Sequence, residues 1–196
     1  MNTEYEPQIV PATPADCVDV AIVNRNSLIA AYTGVAPAIT EEALRYHTND
    51  DWLSNKTNYY QNCIHEGAKL SIAKIGEKAI GFALVGREYA LYVLPEYHGS
   101  TVGLRLLNDV ATEIINAKNL KKITFTVVPG TAAVKFYDQL GCKPTGRDIS
   151  TESPTLRGGQ ELPLIEMEMT RAEAVNSKRR IDALLTRRTG RLRDNS

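Results

Sequence analysis

The chain has 196 residues, a length that suits one α/β domain with a full hydrophobic core and is short for two. Its 23 basic and 23 acidic residues balance, and no apolar run approaches the ~18 residues of a membrane-spanning helix, so no membrane protein is expected. Three widely spaced cysteines and a polar N-terminus over residues 1–8 argue against a secreted disulfide framework and a secretory signal, and we therefore expect a cytoplasmic protein.

The first third of the chain is predicted to form one strand and three helices. Residues 9–12 favour a strand. The run Thr13-Pro14-Ala15-Asp16 is typical of a helix start, and the helix should extend to about Tyr32. Two further helices are predicted over residues 40–46 and 51–65, after a Gly/Pro-containing break.

From residue 69 the apolar residues alternate with a period of two, which indicates strands. The predicted elements are strands at 69–75, 79–85 and 88–94, a helix at 102–117, a strand at 122–128, a short helix ended by Gly141, and an antiparallel pair at 143–148 and 162–169. Three antiparallel strands followed by a strand–helix–strand crossover predict an α/β (α+β) domain. Its central sheet should be mostly antiparallel, with helices on both faces.

The turn between the strand at 88–94 and the helix at 102–117 is the most informative motif, and residues 93–103 read VLPEYHGSTVG. A helix N-terminus presents unpaired backbone N–H groups and a positive dipole end, and small residues let an anion approach them closely. We therefore predict a pyrophosphate site. The residues that would hold it are Gly99, Ser100, Thr101, Val102, Gly103 and Leu104.

A second segment, residues 129–142, reads PGTAAVKFYDQLGC and follows another strand. Together the two segments resemble the GNAT superfamily of acetyl-CoA-dependent N-acetyltransferases. In that family the first loop follows Gln/Arg-x-x-Gly-x-Gly/Ala and the second approximates Asn-x-x-Ala-x-x-Phe-Tyr-x-x-Leu-Gly-Phe. The resemblance covers roughly residues 69–147. The departures are His98 for Gln/Arg, Thr101 for the central Gly, Gly130 for Asn and Cys142 for Phe.

The resemblance implies a GNAT-like fold and acetyl-CoA as co-substrate, with no metal. In such a fold the fourth and fifth strands splay apart, and the pantetheine arm pairs with the edge of the fourth strand. Here that edge is Leu91, Tyr92 and Val93, with His98, Gly130 and Tyr137 completing the expected cofactor contacts. Cys63 and His65 lack the second ligand pair that a zinc site needs.

Acetyl transfer to an amine requires a neutral amine, a stabilised oxyanion and a departing thiolate. The resemblance implies that Tyr137 is the general acid, although a buried core tyrosine would look the same in sequence. It also makes Glu88 the candidate general base, although a solvated residue at a strand start would fit equally.

The acceptor pocket is predicted from residues 32–66 and 149–161, where aromatic and acidic side chains could attract a cation. These are Tyr32, Tyr59, Tyr60, Asp50 and Asp51. The predicted acceptor is a primary amine of a small molecule or peptide. Two alternatives stay open, namely a degenerate acyl-CoA-binding or interaction module without catalysis and a protein or peptide N-acetyltransferase.

The C-terminal segment differs in charge from the rest of the chain. We divide the sequence into a GNAT-like domain at 1–170 and a basic tail at 171–196, in which eight basic residues face three acidic ones. Because the tail has no aromatic residues, a solvated helical appendage is favoured over a nucleic-acid contact, without closing that option. A homodimer is also left open.

Overall fold

The computed structural model describes residues 6–36, 39–86, 88–117, 120–147, 149 and 161–193. The strands are β1 (Gln8–Pro11), β2 (Lys69–Ile75), β3 (Lys78–Val85), β4 (Tyr89–Val93), β5 (Lys122–Val127), β6 (Lys143–Pro144) and β7 (Ile165–Thr170). The helices are α1 (Cys17–Tyr32), α2 (Glu41–His47), α3 (Asp50–His65), α4 (Val102–Asn116), α5 (Ala132–Gln139) and α6 (Arg171–Arg193). Short 3₁₀ turns at Pro14–Asp16 and Pro95–Tyr97 precede α1 and α4.

Side-chain caps set the starts of the first helices, as the sequence indicates. Thr13 and Asp16 form a reciprocal capping box before α1. Thr40 Oγ1 accepts a hydrogen bond from the Ala43 amide at 3.1 Å, and Asn49 Oδ1 accepts one from the Trp52 amide at 3.0 Å. Each cap satisfies an amide that the helix itself leaves without a partner.

The strands form two antiparallel sheets that lie side by side. The first has the order β1-β2-β3-β4 and the second has the order β5-β7-β6. β4 and β5 are neighbours in space, but they are not hydrogen-bonded into one sheet. The predicted α/β class with antiparallel strands is confirmed, and the splay between the fourth and fifth strands is present.

Both sheets bury one face in a shared core beneath α4, α5 and α6. α4 contributes a helical stripe to this core, formed by Val102, Leu106, Leu107, Val110, Ala111 and Ile114. The other face of the first sheet is covered by α1 and α3, through Cys17, Val20, Tyr60, Ile72 and Phe82. Helices thus lie on both faces of the first sheet, as the alternating strand pattern predicts.

Several predicted strands are shorter than expected, and local backbone geometry explains this for β4 and β6. β4 begins at Tyr89, because the Glu88 carbonyl instead accepts the Gly86 amide at 3.1 Å in the turn before it. β6 covers only Lys143–Pro144, and Gly146 soon after it has φ +74°, a conformation that ends an extended strand. β7 starts at Ile165 rather than at 162.

The C-terminal segment forms α6, which packs lengthwise on α4. Ala174, Ser177 and Ile181 on its inner face have no exposed surface, whereas Leu184 is 37% exposed. The Ser177 hydroxyl donates to the Leu140 carbonyl and so ties α6 to the end of α5. In the described ranges, no helix combines the length and apolar character needed to cross a membrane.

Candidate active site

The free edge of β4 faces the gap between the two sheets. The Leu94 amide donates to the Ile80 carbonyl at 2.9 Å, and two residues earlier Tyr92 lies opposite Phe82. Because hydrogen-bonded pairs alternate along antiparallel strands, the even-numbered residues of β4 direct their amides and carbonyls to β3. The amides of Leu91 and Val93 therefore point into the gap. The Tyr92 amide, which we expected at this edge, points to β3 instead, so Tyr92 can offer a ligand only its side chain.

His98 joins the loop to this edge. Its Nε2 lies 2.9 Å from the Val93 carbonyl oxygen, and because a carbonyl can only accept, Nε2 carries the proton. The imidazole thereby satisfies the Val93 carbonyl, while the Val93 amide stays available to the gap. The predicted phosphate contact of His98 is restricted to its other ring nitrogen.

The loop before α4 accommodates its unusual threonine. Gly99 takes the left-handed conformation with φ +78°, whereas Thr101 has φ −82° and ψ −8°, a helical geometry open to β-branched residues. The substitution of the central glycine of the family pattern by Thr101 therefore causes no backbone strain. A Cβ added at Gly103 would lie 3.9 Å from both Phe136 and Val93, which agrees with Gly or Ala at this position of the pattern.

Among the first three amides of α4, that of Val102 is hydrogen-bonded to a side chain, and those of Gly103 and Leu104 are not. Ser100 Oγ accepts from the Val102 amide at 3.2 Å and donates to the Tyr97 carbonyl at 2.6 Å. Within the described part of the chain, the amides of Gly103 and Leu104 have no protein acceptor, as expected in a first helical turn. They lie at the end of the gap beside β4.

The second loop is a tight turn between β5 and α5. Gly130 has φ +79° after Pro129, and the Thr131 amide donates to the Val128 carbonyl at 3.4 Å. Proline followed by a residue with positive φ is typical of a type II turn. Glycine and asparagine both tolerate this conformation, which explains Gly130 where the family pattern has asparagine.

Tyr137 lies on α5 against the gap-facing core. It is 5% exposed, its ring centroid lies 4.4 Å from that of Phe125, and its hydroxyl is 3.3 Å from the Tyr89 hydroxyl on β4. Burial raises the pKa of Tyr137 above its ordinary value, and the bond to Tyr89 opposes this rise. Burial and Tyr137 raise the pKa of Tyr89. Either hydroxyl can donate in this pair, and when Tyr89 donates, the Tyr137 proton is available to a ligand.

The opposite face of β4 carries an aromatic wall. Phe82 stacks on Tyr92 with ring centroids 5.6 Å apart, and Tyr60 meets Phe82 edge-on at 5.3 Å. Burial raises the pKa of Tyr92 well above its ordinary value, and the nearby hydroxyl of Tyr32 adds to the rise. Neutral phenols from α1, α3 and β4 therefore surround this side of the strand.

Glu88 lies in the turn before β4 with its side chain exposed. Its carboxylate contributes to the raised pKa of Tyr59, after burial and Cys63. It therefore lies beside the C-terminal end of α3, on the side of the sheet that strand alternation predicted. No contact among the described residues links it to Tyr137.

A family model described as Acetyltransferase (GNAT) domain matches residues 35–154, which include both loops, β4 and Tyr137. The chain belongs to the GNAT acetyltransferase family. The resemblance seen in the sequence is thus confirmed for the family. No curated protein matches the chain.

Several solved GNAT structures share this fold at low sequence identity. PaiA N-acetyltransferase from Thermoplasma acidophilum, in complex with coenzyme A, is 21% identical with a TM-score of 0.62, covering 84% of this chain and 99% of its own. YncA from Salmonella typhimurium, with its cofactor acetyl-CoA, is 17% identical with a TM-score of 0.62, covering 85% and 94%. Spermidine N-acetyltransferase from Vibrio cholerae, with CoA and spermine, is 17% identical with a TM-score of 0.58, covering 87% and 98%.

The expected acceptor residues of this GNAT chain do not form one cluster. Asp50 and Asp51 begin α3, and Tyr59 and Tyr60 follow nine residues later, roughly 14 Å away at 1.5 Å per residue. Asp50 instead lies 3.9 Å from Arg25 of α1. The loop 149–161, also predicted to line the pocket, lies mostly outside the described residues.

Two sets of residues escaped the sequence analysis. Tyr89 was treated only as a strand residue, although it shares the alternating face of Leu91 and Val93 and so points toward α5. The second set is Arg25 and Arg45, which line a cavity beside α1. The spacing of Arg25 and Tyr32, two helical turns apart, was the available signal.

Proposed function

We propose that the protein is an N-acetyltransferase that moves an acetyl group from acetyl-CoA to a primary amine of a small molecule or peptide. The observation that carries the proposal is the gap between β4 and β5. It combines open amides of Leu91 and Val93, the unpaired first-turn amides of α4 and the buried hydroxyl of Tyr137. The solved GNAT structures that contain CoA or acetyl-CoA support the choice of donor.

The donor would lie along the gap with its phosphates at α4. The amides of Gly103 and Leu104 would bind the pyrophosphate, since they are directed along the positive end of the helix dipole. The Ser100 hydroxyl would have to rotate for the Val102 amide to join them. The Leu91 backbone would pair with the pantetheine arm, much as an adjacent strand would.

The transfer needs donors where charge develops. Acetyl-CoA supplies an acetyl group activated as a thioester. The Val93 amide would stabilise the negative charge on the acetyl oxygen while the amine nitrogen bonds to the carbonyl carbon. As the carbon–sulfur bond breaks, Tyr137 would give its proton to the thiolate and recover one from solvent, a role that its raised pKa permits because the phenol stays neutral.

The amine must lose a proton before it attacks. Glu88 remains our candidate base, because it precedes β4 on the face that carries Tyr92. Its exposure means that it would act through water. The buried free thiols of Cys17, Cys63 and Cys142 support a reducing, cytoplasmic setting as part of the proposal.

Binding and turnover test the proposal separately. Acetyl-CoA should raise the melting temperature of the purified chain, since a ligand of the folded state stabilises it. Thiol release should then appear with members of an amine panel. If neither acetyl-CoA nor CoA changes the melting temperature, the donor site is wrong.

The Tyr137→Phe variant tests the general acid. We expect kcat to fall by about 100-fold, the low end of general acid catalysis, because a thiolate is already a fair leaving group. The KM for acetyl-CoA should change little, since the ring remains. Tyr46→Phe, which removes an exposed phenol on α2, is the matched control. An unchanged kcat in Tyr137→Phe would remove Tyr137 from this role.

A degenerate module is the second candidate, and the capped Val102 amide favours it because one donor of the phosphate site is occupied by Ser100. This candidate predicts a rise in melting temperature with acetyl-CoA and no thiol release with any amine.

A protein or peptide acceptor docked by the basic tail is a further alternative. It predicts that deletion of residues 188–196 lowers activity on peptides and leaves activity on small amines unchanged.

A further inference from the structure

A cavity of about 240 Å³ opens where α1, α2 and α3 meet, and its lining includes no residue of β4 or of the gap between β4 and β5. Its lining residues are Arg25, Ile29, Arg45, Thr48, Asn49 and Asp50. Two guanidinium groups thus approach a space that is large enough for a carboxylate or phosphate group.

The positive charge of Arg25 in this cavity is only weakly neutralised. The Arg25 side chain is only 27% exposed, and its closest carboxylate, Asp50, lies 3.9 Å away, beyond hydrogen-bond distance. The Asp50 side chain is itself fully exposed, so its charge is screened by water. Within the described residues, Arg25 has no hydrogen-bond acceptor, and its guanidinium N–H groups remain open to a ligand.

Two neighbours add donors to the same space. Arg45 binds Glu41 through Nε at 2.8 Å, and its two terminal nitrogens have no acceptor among the residues that the structure describes. Asn49 Oδ1 accepts the Trp52 amide at 3.0 Å, and the NH₂ group of the same side chain is a further donor. The cavity therefore offers charged and neutral donors beside the exposed Asp50 carboxylate.

Helix α1 connects this cavity to the reaction centre. Arg25, Ile29 and Tyr32 follow one another on one face of α1, and Arg25 and Tyr32 are roughly 10 Å apart along the axis. Ile29 and Tyr32 pack in the same small apolar cluster. After burial, the Tyr32 hydroxyl raises the pKa of Tyr92. It also raises the pKa of Tyr137, after burial, the bond to Tyr89 and Cys142.

We propose that this cavity binds an anionic group of the acceptor, so that the substrate is an amine that also carries a carboxylate or phosphate. An extended peptide of about three residues is a suitable probe, since its amine and carboxylate are about 10 Å apart, which is the spacing of Arg25 and Tyr32 along α1. The inference rests on the proposed acetyl transfer. It also replaces the cationic acceptor that the acidic residues of α3 suggested in sequence.

The test compares acceptors that differ only in the anion. Triglycine and triglycinamide have the same amine and the same length, but only triglycine carries a carboxylate. In the second pair, 6-aminohexyl phosphate carries a phosphate and 6-aminohexanol carries no anion, so the two pairs test phosphate and carboxylate separately. We expect kcat/KM to be at least tenfold higher for the anionic member of one pair, mainly through KM. Arg25→Gln and, separately, Arg45→Gln should erase that preference and leave the KM for acetyl-CoA unchanged. Arg179→Gln, an exposed residue of α6, is the matched control.

Direct binding separates this inference from the proposed function. Calorimetry of triglycine and triglycinamide against the CoA-saturated chain measures the anion preference without turnover. If amines are acetylated but neither anionic acceptor is preferred, the cavity proposal is wrong and the transferase stands. If nothing is acetylated but triglycine binds at least tenfold more tightly than its amide, and Arg25→Gln or Arg45→Gln removes the difference, the cavity proposal survives while the transferase fails.

Discussion

At the residue scale, the pair of phenols at the gap is the feature that most affects the proposed chemistry. Tyr89 and Tyr137 are both buried and their hydroxyls are 3.3 Å apart. Without Tyr89, the Tyr137 hydroxyl would lose its protein partner and the pKa of Tyr137 would rise further, because the bond between them lowers it. Tyr89 is thus a positioning residue for the proposed general acid.

Tyr89→Phe should lower kcat by about 3- to 10-fold, the worth of one hydrogen bond, because Tyr137 becomes a weaker and less well-oriented acid. The KM for acetyl-CoA should stay constant. Burial keeps the pKa of Tyr137 above its ordinary value near 10. Deprotonation of Tyr137 should therefore not lower kcat between pH 8 and about 10, either in wild type or in Tyr89→Phe. Steady-state pH profiles measure both effects. A fall in kcat that begins near pH 8 in wild type would contradict the neutral acid.

At the element scale, the position of α4 over β3 decides where the donor amides lie. The two meet closely at Gly81, where an added Cβ would lie 3.0 Å from the Tyr92 carbonyl and 3.1 Å from Leu106. Val102, the first residue of α4, would lie 3.3 Å away. A glycine in β3 therefore allows the start of α4 to approach β4.

Gly81→Ala should lower the free energy of unfolding by about 1–3 kcal/mol and weaken acetyl-CoA binding, because α4 must move away from the sheet. Gly103→Ala is the matched variant for stability, with 3.9 Å to its nearest neighbours, and should not lower the free energy of unfolding, since alanine favours the helix. Urea denaturation and thermal shift with acetyl-CoA measure stability and binding. Equal stability of the two alanine variants would disprove the close approach.

A second element contact attaches the start of α1 to β2. Asp16 lies 2.6 Å from Lys74 and also accepts from the amide and hydroxyl of Thr13, both at 2.7 Å. Lys74, followed by Thr13, lowers the pKa of Asp16 to about 2. Because the folded-state pKa lies below the unfolded value of 3.8, this stabilisation is present above pH 4 and is lost as pH falls toward 2.

Asp16→Asn should reduce the free energy of unfolding by about 2 kcal/mol at pH 7, since both side chains of the ion pair are largely buried. The variant should also lose less stability than wild type between pH 4 and 2. Denaturant titrations at several pH values measure the difference. Asp19→Asn, an exposed carboxylate of the same helix, is the control, and an equal loss in both variants would refute a specific role for Asp16.

At the scale of the whole molecule, the two sheets share one core, and α6 closes it. α6 covers α4, whose first turn is the proposed pyrophosphate site, through side chains with no exposed surface. Arg179 and Arg187 are exposed, whereas Lys178 donates to Asn108 of α4 at 2.8 Å and Arg180 to the Gln139 carbonyl at 3.0 Å. Although the segment looks like a charged tail in composition, its inner face contributes to the packing of the catalytic domain.

Ile181→Ala should cost about 2–5 kcal/mol of stability, because it leaves a cavity between α6 and α4. Leu184→Ala, at a residue 37% exposed on the same helix, should cost less than about 1 kcal/mol. Thermal and urea unfolding compare the two. If Ile181→Ala unfolds like wild type, α6 does not contribute to the core.

Local patterns in the sequence account for much of the fold and part of the candidate site. The alternation in β2 and β3, the stripe of α4 and the glycines at 99 and 130 depend on backbone preferences of near neighbours, and the structure contains each of them. The family followed from the same two loops. The ends of β4 and β6 were misplaced because turns at Gly86 and Gly146 interrupt strands whose composition would allow them to continue.

The sequence by itself determined the strand and helix order, the glycine-containing turn before α4 and the family, because each is encoded in consecutive residues. Only the tertiary structure decided that Tyr89 meets Tyr137, that the Tyr92 amide points to β3, and that Arg25 faces Asp50. These relations join residues far apart in the chain. They depend on how helices and sheets pack, which periodicity within one element does not specify.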